Sequence, residues 1–189
     1  MKDPFLMRKI IFIAFVMSFS ACLQVFADSF IYWQASLLKE FWRLWTAHWV
    51  HVGWIHYLLN MLAFACLPFI FPRVKIWHFI ALLVLLPPFI SLCFYYFFPD
   101  IEAYAGLSGV LHGAYVTVAS VHLLYRKERN FAALVLCLIL GKLIWENTVG
   151  SVGTAELIGS PVLVEAHLLG VIGGVVIALA YVLWEYFVE

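Results

Sequence analysis

The chain has 189 residues, is 66% hydrophobic and 18% aromatic, and balances 11 basic against 11 acidic residues for a formal net charge of zero. With a mean hydropathy of +1.01, against soluble domains that are nearer half apolar, a soluble globular protein is excluded, and the neutral balance gives no basic footprint for nucleic acid. No polar stretch reaches the ~50 residues of a separate soluble domain, so residues 1–189 read as one membrane-embedded unit of all-α class.

A helix that crosses a bilayer needs about 20 mostly apolar residues. Six segments meet or approach that length: 10–27, 52–71, 76–98, 106–125, 131–145 and 162–188. The first is preceded by Lys2, Arg8 and Lys9. It also resembles a signal peptide, with Val25-Phe26-Ala27 as a candidate cleavage site. An aromatic loop follows over 28–51, with Trp33, Phe41, Trp42, Trp45 and Trp49, a composition suited to the membrane interface. The second segment opens on His51, His56 and Asn60. Pro87-Pro88 should kink the third, because proline removes a helix N–H. The fourth opens on Gly106-Leu107-Ser108-Gly109. The fifth carries Lys142 near its end, where a long side chain can snorkel. Residues 147–161, rich in glycine and small polar groups, suit a mobile cap. The sixth segment opens on His167, followed by Gly170 and Gly174.

The short loops set an orientation. Arg8, Lys9, Arg73, Lys75, Arg126, Lys127 and Arg129 fall on alternate sides of successive segments and mark the cytoplasmic face, with the N-terminus inside. Opposite them lie Lys39, Arg43, Lys142, Asp28, Glu40, Asp100, Glu102, Glu146 and Glu156. The second, fourth and sixth segments then all enter from outside. At ~1.5 Å rise per residue, His56, Asn60, Ser108 and His167 share one layer, roughly 5–12 Å below the outer boundary.

Those residue types fit acyl transfer. A serine hydroxyl is a weak nucleophile that needs an adjacent base, and histidine titrates near neutral pH. His167 would take the Ser108 proton and return it to the leaving amine. The oxyanion formed needs preorganised donors, and the first N–H groups of a helix have no intrahelical partner; the Ser108 N–H is one. His56 and Asn60 share a helix face and add side-chain donors. Gly106 and Gly109 permit close approach around Ser108, and Gly170 and Gly174 have the small-xxx-small spacing of tightly packed membrane helices. Taken singly, each residue has a plainer reading: a serine bonded to its own backbone, a His-x-x-x-Asn pair acting as interhelical glue, a histidine in a polar contact. Their shared depth is what favours chemistry. His48, His51 and His56 lack a carboxylate partner and a His-Glu-x-x-His spacing, so no metal is expected. Cys22, Cys66, Cys93 and Cys137 match no metal spacing and read as packing residues.

In order and spacing these motifs resemble the rhomboid family of intramembrane serine proteases, over roughly Phe41 to Gly174. The matching motifs are Trp42-Arg43, His51, His56-x-x-x-Asn60, Gly106-Leu107-Ser108-Gly109 and Ala166-His167-x-x-Gly170-x-x-x-Gly174. The resemblance implies a six-transmembrane-helix bundle and a Ser108–His167 dyad without an acid. It implies an oxyanion hole from His56, Asn60 and Ser108, a gate in the fifth segment, a cap in the last outer loop, and no cofactor. Many rhomboids carry a tyrosine four residues after the serine, stacked on the catalytic histidine; here the residue is His112. The runs Trp42-Arg43-Leu44-Trp45-Thr46-Ala47-His48 and Gly106-Leu107-Ser108-Gly109-Val110-Leu111-His112-Gly113 are most similar to the bacterial rhombosortase branch. That likeness implies a bacterial inner-membrane enzyme opening to the extracytoplasmic side. Its partners would be the lipid bilayer and membrane-anchored exported proteins bearing C-terminal Gly-Gly-type sorting tails. The alternative is an inactive rhomboid-like protein that binds transmembrane helices without cutting them.

Overall fold

A computed structural model describes residues 4–188; Lys2, counted above among the basic residues of the N-terminus, lies outside the described residues. The fold is mostly helical, and each of the six apolar segments contains a helix. The chain divides into two compact units, one up to Leu107 and one from Ser108 onward. Among the described residues, four helices suffice by length and composition to cross a membrane: Phe5–Gln24, Ile76–Phe97, Arg129–Thr148 and Val164–Phe187. The helices on the second and fourth segments have 17 and 15 residues, short of the ~20 that a full span takes.

The first unit contains α1 (Pro4–Gln24), a 3-10 turn (Ala27–Ser29), β1 (Tyr32–Trp33), α2 (Arg43–Thr46), α3 (Trp54–Ile70), α4 (Ile76–Phe97) and β2 (Ala103–Tyr104). Helices α1 and α3 run antiparallel, and proline chemistry explains how their ends are tied. Pro72 has no N–H, so the carbonyl of Pro68, four residues earlier, has no helical donor. Buried Lys9 of α1 supplies one: its Nζ donates to Pro68 O at 2.7 Å and to Pro72 O at 2.9 Å. At the other end, Gln24 clamps the backbone of His51, accepting from its N–H at 2.7 Å and donating to its carbonyl at 2.8 Å.

The aromatic loop is built the same way. Helix α4 continues through Pro87 and Pro88. Pro88 leaves the Val84 carbonyl without its helical donor, and the indole N–H of Trp45 donates to it at 2.9 Å. Ser91 Oγ donates to Leu44 O at 3.2 Å and lies 3.0 Å from His48 Nε2. Arg43 is buried and holds the loop from inside, with Nε on Glu40 at 2.6 Å and Nη1 on Ile31 O at 2.5 Å. Tyr32 pairs with Tyr104 and Trp33 with Ala103 in a two-stranded antiparallel sheet. Trp42-Arg43 and the residues around them therefore form an ordered scaffold. Burial pushes the imidazoles of His48 and His51 down to about 3, so both are neutral.

The second unit contains α5 (Ser108–His122), α6 (Arg129–Thr148), α7 (Val152–Ile158) and α8 (Val164–Val188). Helices α5 and α8 lie side by side in parallel, with backbone nearly on backbone. A Cβ added at Gly170 would overlap the Gly109 carbonyl, and one at Gly174 the Gly113 carbonyl. Thr117 Oγ1 lies 2.9 Å from both Gly113 O and Gly174 O. The glycine spacing read from the sequence thus marks the seam along which these helices meet. The loop between α6 and α8 contains α7, closed by Gly159 at a left-handed φ of 71°.

Candidate active site

Ser108 is the first residue of α5, and His167 lies in the first turn of α8. The glycine seam brings the two helix starts together. A side chain at Gly109 would meet the Ala166 carbonyl at 2.6 Å, so only glycine next to Ser108 lets the helices close to hydrogen-bond reach. His167 Nε2 lies 2.9 Å from Ser108 Oγ. Ser108 is partly exposed, whereas His167 is buried at 3% exposure. A partly exposed hydroxyl beside an imidazole shielded from water is the arrangement that hydroxyl activation requires.

His112, one turn after Ser108, stacks on His167 with ring centroids 4.1 Å apart and planes 20° apart. Its Nδ1 lies 2.7 Å from the Ser108 carbonyl. A carbonyl only accepts, so Nδ1–H donates and the ring is fixed. A second imidazole thus occupies the face of His167 where the resemblance led one to expect a tyrosine ring.

The other side of His167 holds a residue that sequence reading missed. Glu146 Oε2 lies 2.7 Å from His167 Nδ1, and both side chains are about 5% exposed. The second Glu146 oxygen bonds the Lys142 ammonium, one turn back on α6. Apolar run length ends the fifth segment at Trp145 and leaves Glu146 among the charges of the outer face; α6 continues to Thr148 and carries Glu146 on its buried side. The available signal was the i,i+4 pairing of Lys142 and Glu146 at the end of an apolar helix. Ionisable groups at membrane depth are functional candidates by default.

Ligand atoms of His112, Glu146 and His167 all lie within 4.8 Å of one another, close enough for three such groups to hold one metal ion. The ring geometry does not favour a metal. Imidazole lone pairs lie in the ring plane, and two nearly parallel stacked rings direct them side by side rather than at one point. Both nitrogens of His167 are also engaged, by Ser108 and Glu146.

Gly106, His51, His56 and Asn60 belong to the first unit. Gly106 has a φ of 146°, and a Cβ there would sit 2.8 Å from His56 Cε1. Its N–H donates to Ala47 O at 3.0 Å, and its carbonyl accepts from Tyr104 Oη at 2.6 Å. The His56 ring stands edge-on to His51 at 5.1 Å. Buried Asn60 donates through Nδ2 to the His56 carbonyl at 2.9 Å, which engages one of its two amide hydrogens. The structure therefore gathers Ser108, Gly109, His112, His167, Gly170 and Gly174 in the second unit, and the four remaining site residues in the first.

No curated protein matches the chain. The Rhomboid domain model matches residues 38–184, which include every residue of the site. With that match across most of its length, the chain belongs to the rhomboid family of membrane proteins, whose members are generally intramembrane serine proteases.

Proposed function

We propose that the protein is an intramembrane serine endopeptidase in which Ser108 attacks and His167 is the general base. The observation that carries this reading is the 2.9 Å approach of His167 Nε2 to Ser108 Oγ at two abutting helix starts. Ser108 Oγ adds to a substrate carbonyl as its proton passes to His167. His167 then protonates the departing amine, and water repeats the sequence on the acyl-enzyme. The Ser108 N–H, Asn60 Nδ2 and His56 are the donors assigned to the oxyanion. This reading is favoured over the inactive, helix-binding alternative because such a protein would have no need for the Ser108–His167 contact.

In this reading six helices cross the bilayer, both termini are cytoplasmic, and Ser108 opens toward the outer face of a bacterial inner membrane. An ordinary folded soluble protein cannot reach a serine below the membrane surface. A substrate has to bring in an extended segment, and glycine disfavours helix by about 1 kcal/mol relative to alanine. A Gly-Gly or similar small-residue site just outside a C-terminal anchor meets both needs, as the rhombosortase likeness also implies. Comparing exported proteins of cells with the wild type and with Ser108→Ala should show anchored precursors accumulating in the variant. New C-termini in the wild type should lie at small-residue junctions beside the anchor, and Leu or Ile at those junctions should block release. Affected proteins without an anchor would refute the substrate class.

A further inference from the structure

We infer that Glu146 is the positioning carboxylate of His167, so that the site is a Ser108–His167–Glu146 relay whose third member comes from α6. The inference rests on the serine-protease reading above and adds a residue to it. A buried carboxylate without partners is costly, and Glu146 has two: His167 Nδ1 on Oε2 and the Lys142 ammonium on Oε1. With Lys142 beside it, the group is ionised, and an ionised carboxylate only accepts. The proton between Glu146 and His167 therefore sits on His167 Nδ1. In the neutral imidazole, the form that can act as a base, that leaves Nε2 bare, and Nε2 is the nitrogen facing Ser108 Oγ. The opposite tautomer would place a hydrogen where the base must accept one. His112 stacks on the ring face and cannot set this choice, because its own Nδ1–H is bound to the Ser108 carbonyl. Glu146 also faces the imidazolium that forms as Ser108 loses its proton and stabilises it through charge. The arrangement makes activity depend on α6 being docked, because α6 supplies the residue that orients the base.

A purely structural Glu146 would tie α6 to α8 without fixing the tautomer, and two measurements on the full chain in detergent separate the roles. In ¹⁵N-histidine NMR of the wild type, His167, assigned by loss of its signal in His167→Ala, is expected to be protonated on Nδ1 and bare on Nε2. Protonation on Nε2 instead overturns the inference whatever any variant does. The second measurement is the labelling rate of Ser108 by a fluorophosphonate. Glu146→Gln keeps the shape but supplies an amide donor to Nδ1. It should slow the maximal labelling step ~10²–10⁴-fold, with half-saturation by the reagent shifted less than about threefold. Labelling within about threefold of wild type in Glu146→Gln, with Ser108→Ala unlabelled, overturns the role of Glu146 and leaves the protease reading standing. Undiminished labelling of Ser108→Ala instead defeats the protease reading itself.

Discussion

Asn60 spends one amide hydrogen on the His56 carbonyl and keeps one, which is what a residue needs if it is to be held rigidly and still donate. Loss of one oxyanion donor typically costs ~10²–10³ in rate. Asn60→Ala and His56→Ala should therefore each slow turnover by about that factor without abolishing it, since the Ser108 N–H remains. Cleavage by reconstituted enzyme measures this, and unchanged rates for both variants would remove these residues from the oxyanion assignment. At this scale the sequence was informative wherever a residue type has few uses in a membrane. Ser108, His167, Gly109 and Gly170 were picked out, and the structure sets all four at one junction. Glu146 was not, because its role depends on which side of α6 faces inward and on one more turn of helix than apolar composition implies.

The helix pair α5–α8 is held by absence of side chains. Gly170→Ala would push a methyl into the Gly109 carbonyl, and overpacking of this kind costs about 1–3 kcal/mol. It should also separate Ser108 from His167. Gly141, inside α6, has nothing within 4 Å of an added Cβ, so Gly141→Ala should be neutral or stabilising by up to ~1 kcal/mol through helix propensity. Thermal unfolding in detergent together with labelling of Ser108 checks the contrast. Equal effects of the two substitutions would contradict the close-packed seam. The positions of the apolar helices were legible from run length and composition. The small elements were not: α2 and the two-residue strands depend on partners distant in sequence, such as Arg43 on Ile31 O and the pairing of Tyr32 with Tyr104, that no local pattern announces. The role of Pro88 was half legible, since proline forecasts a freed carbonyl but not that Trp45 fills it.

For the molecule as a whole, the orientation read from Lys and Arg carries the claim that the enzyme acts on exported proteins. In a background lacking Cys22, Cys66, Cys93 and Cys137, cysteines placed at Asp100 and Gly153 should react with an impermeant thiol reagent applied to intact cells, and cysteines at Arg73 and Lys127 should not. The reverse pattern would put Ser108 on the cytoplasmic side and exclude that substrate class. Four of the described helices are long and apolar enough to cross a membrane; the proposed count of six adds α3 and α5, with 17 and 15 residues, and this same mapping tests it. The central claim is that Ser108 is a nucleophile activated by His167, and it is tested most directly by mapping the fluorophosphonate adduct by mass spectrometry on the intact, folded protein. The adduct should lie on Ser108, be absent from Ser108→Ala, and form at least ~10²-fold more slowly in His167→Ala. A folded wild type that takes up no adduct at Ser108, or a Ser108→Ala protein that labels as fast as the wild type, would contradict the account.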